Sequence, residues 1–403
     1  MRFALAAAAA ACALCAIPAV AQTPPSPAPL ASAAPSPAAS GSPSPSPTPR
    51  PWQASGFAAA SYNASSLGAG TAGFSFANGG PSRVFDTISR QPMLNAINVQ
   101  LQKNGPLFGK VELTAGTNAN VIASYPYANN PAPLQTAIDV TQAYVGYSSG
   151  AFALQAGKFE TLAGAEVIED PSNANVSRSI LFGYAVPFTH TGARLTYTAS
   201  PLLSLIAGVN NGWDNLKGPG GPKTAELGVA YNGPVFQLTA QSYLGMERAS
   251  DSQWSATGDS PAGHRSLVDV VGTYKATSAL TFVANYDSGR QTAVPIVDAT
   301  GTTLPGLGTA TWSGVAGYAQ YQITPKLSTA LRSEVFNDHG GYRTGYDQQW
   351  RETTLTFAYA PSAPVTLRLE GRADSSNHPV WTDTVGALHT AMQSIAAQVL
   401  VKF

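Results

Sequence analysis

The connections between the extended segments of this chain alternate strictly between long and short, and that ordering limits the fold more than any single motif. The segments themselves follow a period of two. "KVELTAG" places Val111, Leu113 and Ala115 on one face and Lys110, Glu112 and Thr114 on the other, and "ARLTY" sets Ala193, Leu195 and Tyr197 against Arg194 and Thr196. "VTLRLEGRAD" does the same with Leu367, Leu369 and Gly371 against Arg368, Glu370, Arg372 and Asp374. Short connections fall at 103–106, 148–150, 199–201, 232–234, 275–278, 323–326 and 360–364, and their Gly, Pro, Asn and Ser content reads as hairpin turns. Long ones fall at about 64–94, 117–136, 159–188, 211–223, 245–264, 289–310, 337–349 and 375–388. Eight long loops and seven short turns join sixteen strands. The apolar piece "SILFGYAV" at 179–186 is placed within the third long loop or on its return; if it spans instead, another strand in the count is false and fourteen is the alternative.

Long loops sorted to one end, an even strand count and both domain ends on the short-turn side describe an antiparallel transmembrane β-barrel with short periplasmic turns and long extracellular loops. A soluble secreted sandwich shows the same alternation but has no reason to sort its loops. Composition agrees with the barrel. Only 11% of residues are charged and the formal net charge is zero, with no Lys/Arg cluster to suggest nucleic acid. The mature chain has no long apolar run that would make a transmembrane helix. Residues 1–21, "MRFALAAAAAACALCAIPAVA", read as a secretory signal peptide whose removal takes both cysteines with it. Residues 22–51 are rich in Pro, Ser and Ala, cannot build a core, and read as a disordered periplasmic linker. One domain then runs over 52–403.

A barrel in hydrocarbon must close, because an open edge leaves backbone groups with no partner. Closure pairs a first strand near Phe57–Tyr62 with the last, "SIAAQVLVKF". Ile395, Ala397, Val399, Val401 and Phe403 then face lipid, and Gln398 and Lys402 face the lumen or its rim. The terminal Phe403 on an amphipathic strand has the form of a signal read by the barrel insertion machinery. Tyr144, Tyr147, Tyr197, Tyr231, Tyr274, Tyr318, Tyr321 and Tyr359 lie near strand ends or in the wall, where some should form aromatic girdles. Sixteen strands enclose an aqueous channel. Inward faces rich in Thr, Ser, Gln, Asn, Arg and Glu predict a wet lumen, and hence passive passage of small hydrophilic solutes or ions. A structural or adhesive barrel with a closed lumen, whose loops bind a partner, is the rival reading.

The third long loop carries the densest charge. "GKFETLAGAEVIEDPSNANVSRS" holds Glu160, Glu166, Glu169 and Asp170, with Lys158 and Arg178 at its ends. Folded inward, these acids would face basic wall residues such as Arg194, Arg332, Arg368 and Arg372, and the resulting field would sort solutes by charge. Glu334 and Glu370 also point inward by parity, so a charge count does not give the sign of selectivity. The alternative is an external lid.

Catalysis and cofactors have no support in the sequence. His190, His264, His339, His378 and His389 accompany neither a GxSxG elbow nor an HExxH pattern. The Asn/Asp-containing stretch at 210–220 lacks the spaced carboxylates of a calcium loop, and "GPGGPK" is too short for a phosphate loop. No metal, cofactor or catalytic residue is expected.

The run "YVGYSSGAFALQAGKFETLAGAEVIEDPSNANVSRSILFGYAVPFTHTGARLTY", with "NNGWDN" after it, resembles the β-barrel porin-2, OmpL-like family of Gram-negative outer-membrane proteins. Gly157, Lys158, Phe159, Glu160, Gly164, Glu166, Asn175, Ser177, Arg178, Pro187, Gly192 and Asn211 to Asp214 look like family positions. The resemblance extends from about Trp52 onward and leaves out the Pro-rich stretch. It implies an outer-membrane barrel with a porin-like role, contact with outer-membrane lipid and lipopolysaccharide, and a homotrimer. It implies no particular substrate.

Overall fold

The computed structural model describes residues 52–67, 82–87, 89–124, 138–217, 223–248 and 262–403. The expected signal peptide at 1–21 and linker at 22–51 lie outside these residues. Sixteen strands form one closed antiparallel barrel, each paired with its neighbours in chain order. They are β1 (Trp52–Ser65), β2 (Pro92–Lys103), β3 (Leu107–Ala115), β4 (Ile138–Ser149), β5 (Phe152–Glu160), β6 (Thr189–Ser200), β7 (Leu203–Asn210) and β8 (Thr224–Asn232), followed by β9 (Phe236–Arg248), β10 (Ala262–Lys275), β11 (Leu280–Val297), β12 (Thr303–Thr324), β13 (Leu327–His339), β14 (Gln348–Ser362), β15 (Val365–Ser376) and β18 (Ala391–Lys402). The remaining two, β16 (Trp381–Thr382) and β17 (Leu388–His389), make a small hairpin in the last loop. Two short helices, α1 (Thr117–Ile122) and α2 (Ile180–Tyr184), belong to the second and third loops. "SILFGYAV" is therefore loop and helix, and the count stays at sixteen.

The seam is where the sequence requires it. β1 pairs with β18 from Phe57 opposite Lys402 to Ser65 opposite Ser394. Past the last strand residue, Gly56 N donates to Phe403 O at 2.9 Å and Phe403 N donates to Gly56 O at 3.0 Å. No side chain fits at position 56: a Cβ there would lie 2.3 Å from Asn98 O and 2.6 Å from the Phe403 ring. Along β18, Ile395, Ala397, Val399 and Val401 are exposed outward, while Met392, Ser394, Ala396, Gln398 and Leu400 are buried inward. The outer surface elsewhere exposes Val111, Val145, Leu154, Leu227, Leu369 and many similar residues. In water such a surface would aggregate; against hydrocarbon it is what burial demands.

Three expectations need correction. The long connection expected at 289–310 is mostly strand, since β11 runs to Val297 and β12 begins at Thr303. Pro295 and the Gly/Thr content suggest a loop, but the ladder absorbs them through irregularities between Thr292 and Val294 and between Pro295 and Val297, where a missing N–H does little harm. Second, Tyr144 and Tyr318 do not join a girdle. Tyr144 lies beside Phe108 on the inner face and Tyr318 is buried among lumen residues. Third, the lumen is not uniformly polar. Phe85, Ile180, Leu181, Phe182, Phe188, Trp213, Leu267, Val271, Trp312, Phe336, Trp350 and Trp381 form one buried apolar cluster. Long loops folding inward bring their own apolar residues, and the wall answers with Leu267, Trp312, Phe336 and Trp350 at inward positions.

Candidate functional site

The third loop, residues 161–188, lies inside the barrel and follows the wall. Thr161 Oγ1 is 3.1 Å from Tyr243 Oη on β9, and Ala165 N donates to Asn285 Oδ1 on β11 at 2.9 Å. The loop then meets β13, β15 and β18. Internal bonds hold its shape. Asn173 Nδ2 donates to Val167 O at 2.8 Å and to Glu169 O at 2.9 Å, and Arg178 Nη2 donates to Ile168 O at 2.7 Å. Ser179 caps α2, its Oγ accepting from Phe182 N at 2.9 Å.

Wall charges fasten the loop. Arg332, fully buried, donates to Glu166 Oε1 at 2.6 Å, to Ser177 O at 2.7 Å and to Glu352 Oε2 at 3.0 Å. Glu370 accepts from Val176 N at 2.6 Å and Ser177 N at 3.0 Å. Glu334 accepts from Ile180 N at 2.6 Å and Leu181 N at 2.9 Å, satisfying donors that the first turn of α2 leaves free. Arg368 donates to Asn173 O at 2.7 Å and Asp170 O at 3.1 Å. Arg372 donates to Arg178 O at 2.6 Å and pairs with Asp374 at 2.7 Å. Charge-assisted bonds of this kind are worth about 1.5–3 kcal/mol each.

The sequence-selected charges therefore divide. Glu166, Arg178, Arg332, Glu334, Arg368, Glu370 and Arg372 come together where the loop is fastened to β13–β15. Asp170 stands nearby, 3.5 Å from Arg178 and accepting from Asn118 Nδ2 of α1 at 3.0 Å. Arg194 is apart: it pairs with Glu226 on β8 at 2.8 Å and lies 4.2 Å from the Phe159 ring centroid. Lys158 pairs with Asp139 on β4 at 3.2 Å. Arg194, Arg368 and Arg372 thus do not stand across a gap from the loop acids. Glu160 and Glu169 turn the other way, toward β3, where their carboxylates gather with that of Glu112, one oxygen from each lying within 4.8 Å of the others. Lys110 enters this group, 2.6 Å from Glu112 and 3.6 Å from Glu169; its ammonium stands where a bound cation would.

Lys110 and Glu112 were not singled out from the sequence, although parity had put both on the inward face. Nothing local marks them, because their partners lie some 50 residues further on and meet them only through barrel curvature and loop shape. The first loop was missed as well. Arg83 donates to Asp374 Oδ2 at 2.9 Å and Ser394 Oγ at 2.7 Å and pairs with Asp86, and Val84 and Phe85 pack in the apolar cluster. Above the third loop's return, Asp214 accepts from Phe188 N at 3.0 Å and Thr189 N at 2.8 Å; burial pushes its carboxyl up to about 6.

A closed sixteen-stranded barrel, apolar outside and lined within by a fastened loop, defines the class of outer-membrane porins. The chain belongs to the family described as "Putative beta-barrel porin-2, OmpL-like", which it matches over residues 55–403. It is an outer-membrane channel protein. No curated protein sequence matches it at a significant level. Among solved structures, it is similar to the outer membrane channel DcaP of Acinetobacter baumannii, with TM-score 0.58 and 13% identity over 87% of this chain and 97% of that one. It is also similar to the trimer form of OmpT of Vibrio cholerae, with TM-score 0.55 and 10% identity over 87% and 99%. An anion-selective porin from Comamonas acidovorans gives TM-score 0.54 and 9% identity over 87% and 99%. At these identities the likeness concerns the fold.

Proposed function

We propose that this porin passes small hydrophilic solutes and ions by diffusion, with the third loop as its constriction. The observation that carries the reading is the loop's attachment to one wall, through Arg332, Glu334, Arg368, Glu370 and Arg372, which holds the loop in the bore at fixed depth. Fixed dipoles and charges along a water-filled path sort solutes without a deep binding well. Reconstitution of the folded protein in a planar bilayer tests this: stepwise ion-conducting openings are expected, and their absence would sink it. A closed-lumen barrel whose loops bind a partner is the second reading, favoured by the aromatic packing around Trp213, Trp312, Trp350 and Trp381. The same experiment separates the two.

The porin family and fold are those of a channel, and we assign no catalytic step to any residue. A homotrimer, as in the trimer form of OmpT, is proposed by analogy and is checked by native mass measurement in detergent. Phe403 serves as the assembly signal in this reading, and removing it should lower the yield of folded, heat-modifiable protein in membranes while leaving export intact.

A further inference from the structure

Resting on the channel reading above, we propose that the Lys110–Glu169 ion pair, with Glu112 and Glu160 beside it, is the charge-selecting point of the passage and favours cations over anions. The pair joins the third loop to β3, four strands around the barrel from β15 by way of the seam, and so lies apart from the arginine anchorage. It is also where water reaches. The side chains of Lys110 and Glu169 keep 12% and 15% of their surface, the highest values among the ion pairs that line the lumen in the described residues; the next, Asp139, keeps 10%. Arg332 and Glu352 keep none. The anchoring arginines are engaged by backbone carbonyls and carboxylates, so they present little charge to a passing ion.

The local balance is acidic. Three carboxylates surround one ammonium, and Glu160 Oε1 has no hydrogen-bond partner among the described residues. Burial first, and the Glu112 carboxylate second, hold the Glu169 carboxyl above its ordinary range. The group is net negative beside its one ammonium whenever at least two of the three acids are ionised. Lys110 partly masks it and so limits selectivity. Two further cations on this wall are engaged elsewhere: Arg194, which also donates to Glu160 O at 3.2 Å, pairs with Glu226, and Lys158 pairs with Asp139.

The test is the reversal potential of single channels in a salt gradient, for the full-length protein and the variants Lys110→Gln, Glu169→Gln and, at the short-turn rim, Lys326→Gln. Wild type should prefer cations. Lys110→Gln should raise the cation-to-anion permeability ratio and Glu169→Gln lower it, each by about two- to fivefold for one charge a few ångströms from the ion path at moderate salt. Lys326→Gln, whose side chain bonds Pro361 O away from the group, should leave the ratio unchanged. Heat-modifiable migration of each variant verifies that it has folded. Anion preference in wild type, or conductance with an unmoved ratio in both Lys110→Gln and Glu169→Gln, would overturn the proposal. Absence of any step from folded wild type would instead overturn the channel reading, and the proposal with it.

Discussion

The wall formed by β13–β15 and the wall formed by β2–β5 use the same residue types to opposite ends. On the first, Arg332, Arg368 and Arg372 meet the backbone of the third loop, and their guanidinium forks are occupied by carbonyls as well as carboxylates. On the second, Lys110 meets side chains alone, Glu112 on its own strand and Glu169 in the loop, while Glu112 also accepts from Asn98 and Gln142 of the neighbouring strands. A charge bound to a backbone fixes the position of that backbone and is lost to solutes. A charge that meets another side chain and keeps some exposed surface remains available to solutes as well. Arginine suits the first task because its planar fork makes several bonds at once, and lysine the second because its ammonium is a mobile point charge. Counting lumen charges, without asking what each one touches, would give the wrong map of selectivity.

The largest effect that could break this contrast is expected at Arg332. Arg332→Met leaves Glu166 and Glu352 buried near the loop without their shared cation, a loss of about 3–5 kcal/mol for a disrupted buried pair. Melting of the folded band in detergent should drop, and single-channel records should become noisy with larger openings as the loop detaches. Glu370→Gln removes the charge and keeps an acceptor oxygen for only one of the Val176 and Ser177 amides, which donate to different carboxylate oxygens; its effect should have the same sign and be smaller, about 1–2 kcal/mol. If Arg332→Met left both conductance and noise as in wild type, the anchored wall would not be holding the loop.

How much of this the sequence could reveal depends on range. The barrel was legible because its signals are local or periodic: alternation, turn residues, and an amphipathic end. Strand parity also placed Arg332, Glu334, Arg368, Glu370 and Arg372 inward, which is where they lie. It could not say which of them the third loop would reach. That depends on the internal bonds of Asn173 and Arg178, which set the loop's shape, and on α2, whose cap Ser179 is held by Glu166 at 2.7 Å through its amide. The apolar lumen cluster was illegible for a related reason. Trp312 and Phe336 look like lipid-facing residues until the register sets them inside, opposite loops contributed from far along the chain. The loop expected at 289–310 erred in the other direction, since the ladder there takes in Pro295 at an irregularity that removes the need for its N–H.

A smaller effect sharpens the contrast between the walls by locating where the anchored side ends. The loop's return near β6 is held by Asp214, whose carboxylate accepts from Phe188 and Thr189 amides. Burial raises this carboxyl from 3.8 to about 6 in the folded protein. The folded state therefore binds a proton more tightly than the unfolded state, and its stability falls as pH rises from about 4 through 6. Above that window the deficit is fully present, about 2–3 kcal/mol at 1.4 kcal/mol per unit. Asp214→Asn keeps an acceptor oxygen and tolerates the left-handed backbone at φ 53°. Hydrogen exchange at the Phe188 and Thr189 amides should be slower in Asp214→Asn than in wild type at pH 7.5, and the two should converge near pH 4. Equal rates at both pH values would mean that this return is held by the apolar cluster alone.

The smallest effect expected lies outside both walls, in the hairpin of β16 and β17. Asp383 bonds His389 at 2.9 Å and accepts from the Ala387 amide at 2.9 Å. The His389 ring first, and the Ala387 amide second, hold its carboxyl below the ordinary range. Its contribution is therefore present above about pH 4 and fades as pH falls below it. The site is solvent-exposed, where such pairs contribute little. Asp383→Asn should leave melting and conductance unchanged and make the last loop slightly more open to protease. The hairpin carries Trp381, which packs edge-on against Trp350 at 5.7 Å above the anchored wall. A marked conductance change in Asp383→Asn would therefore mean that the aromatic cover, and not the arginine anchorage beneath it, sets the position of the third loop.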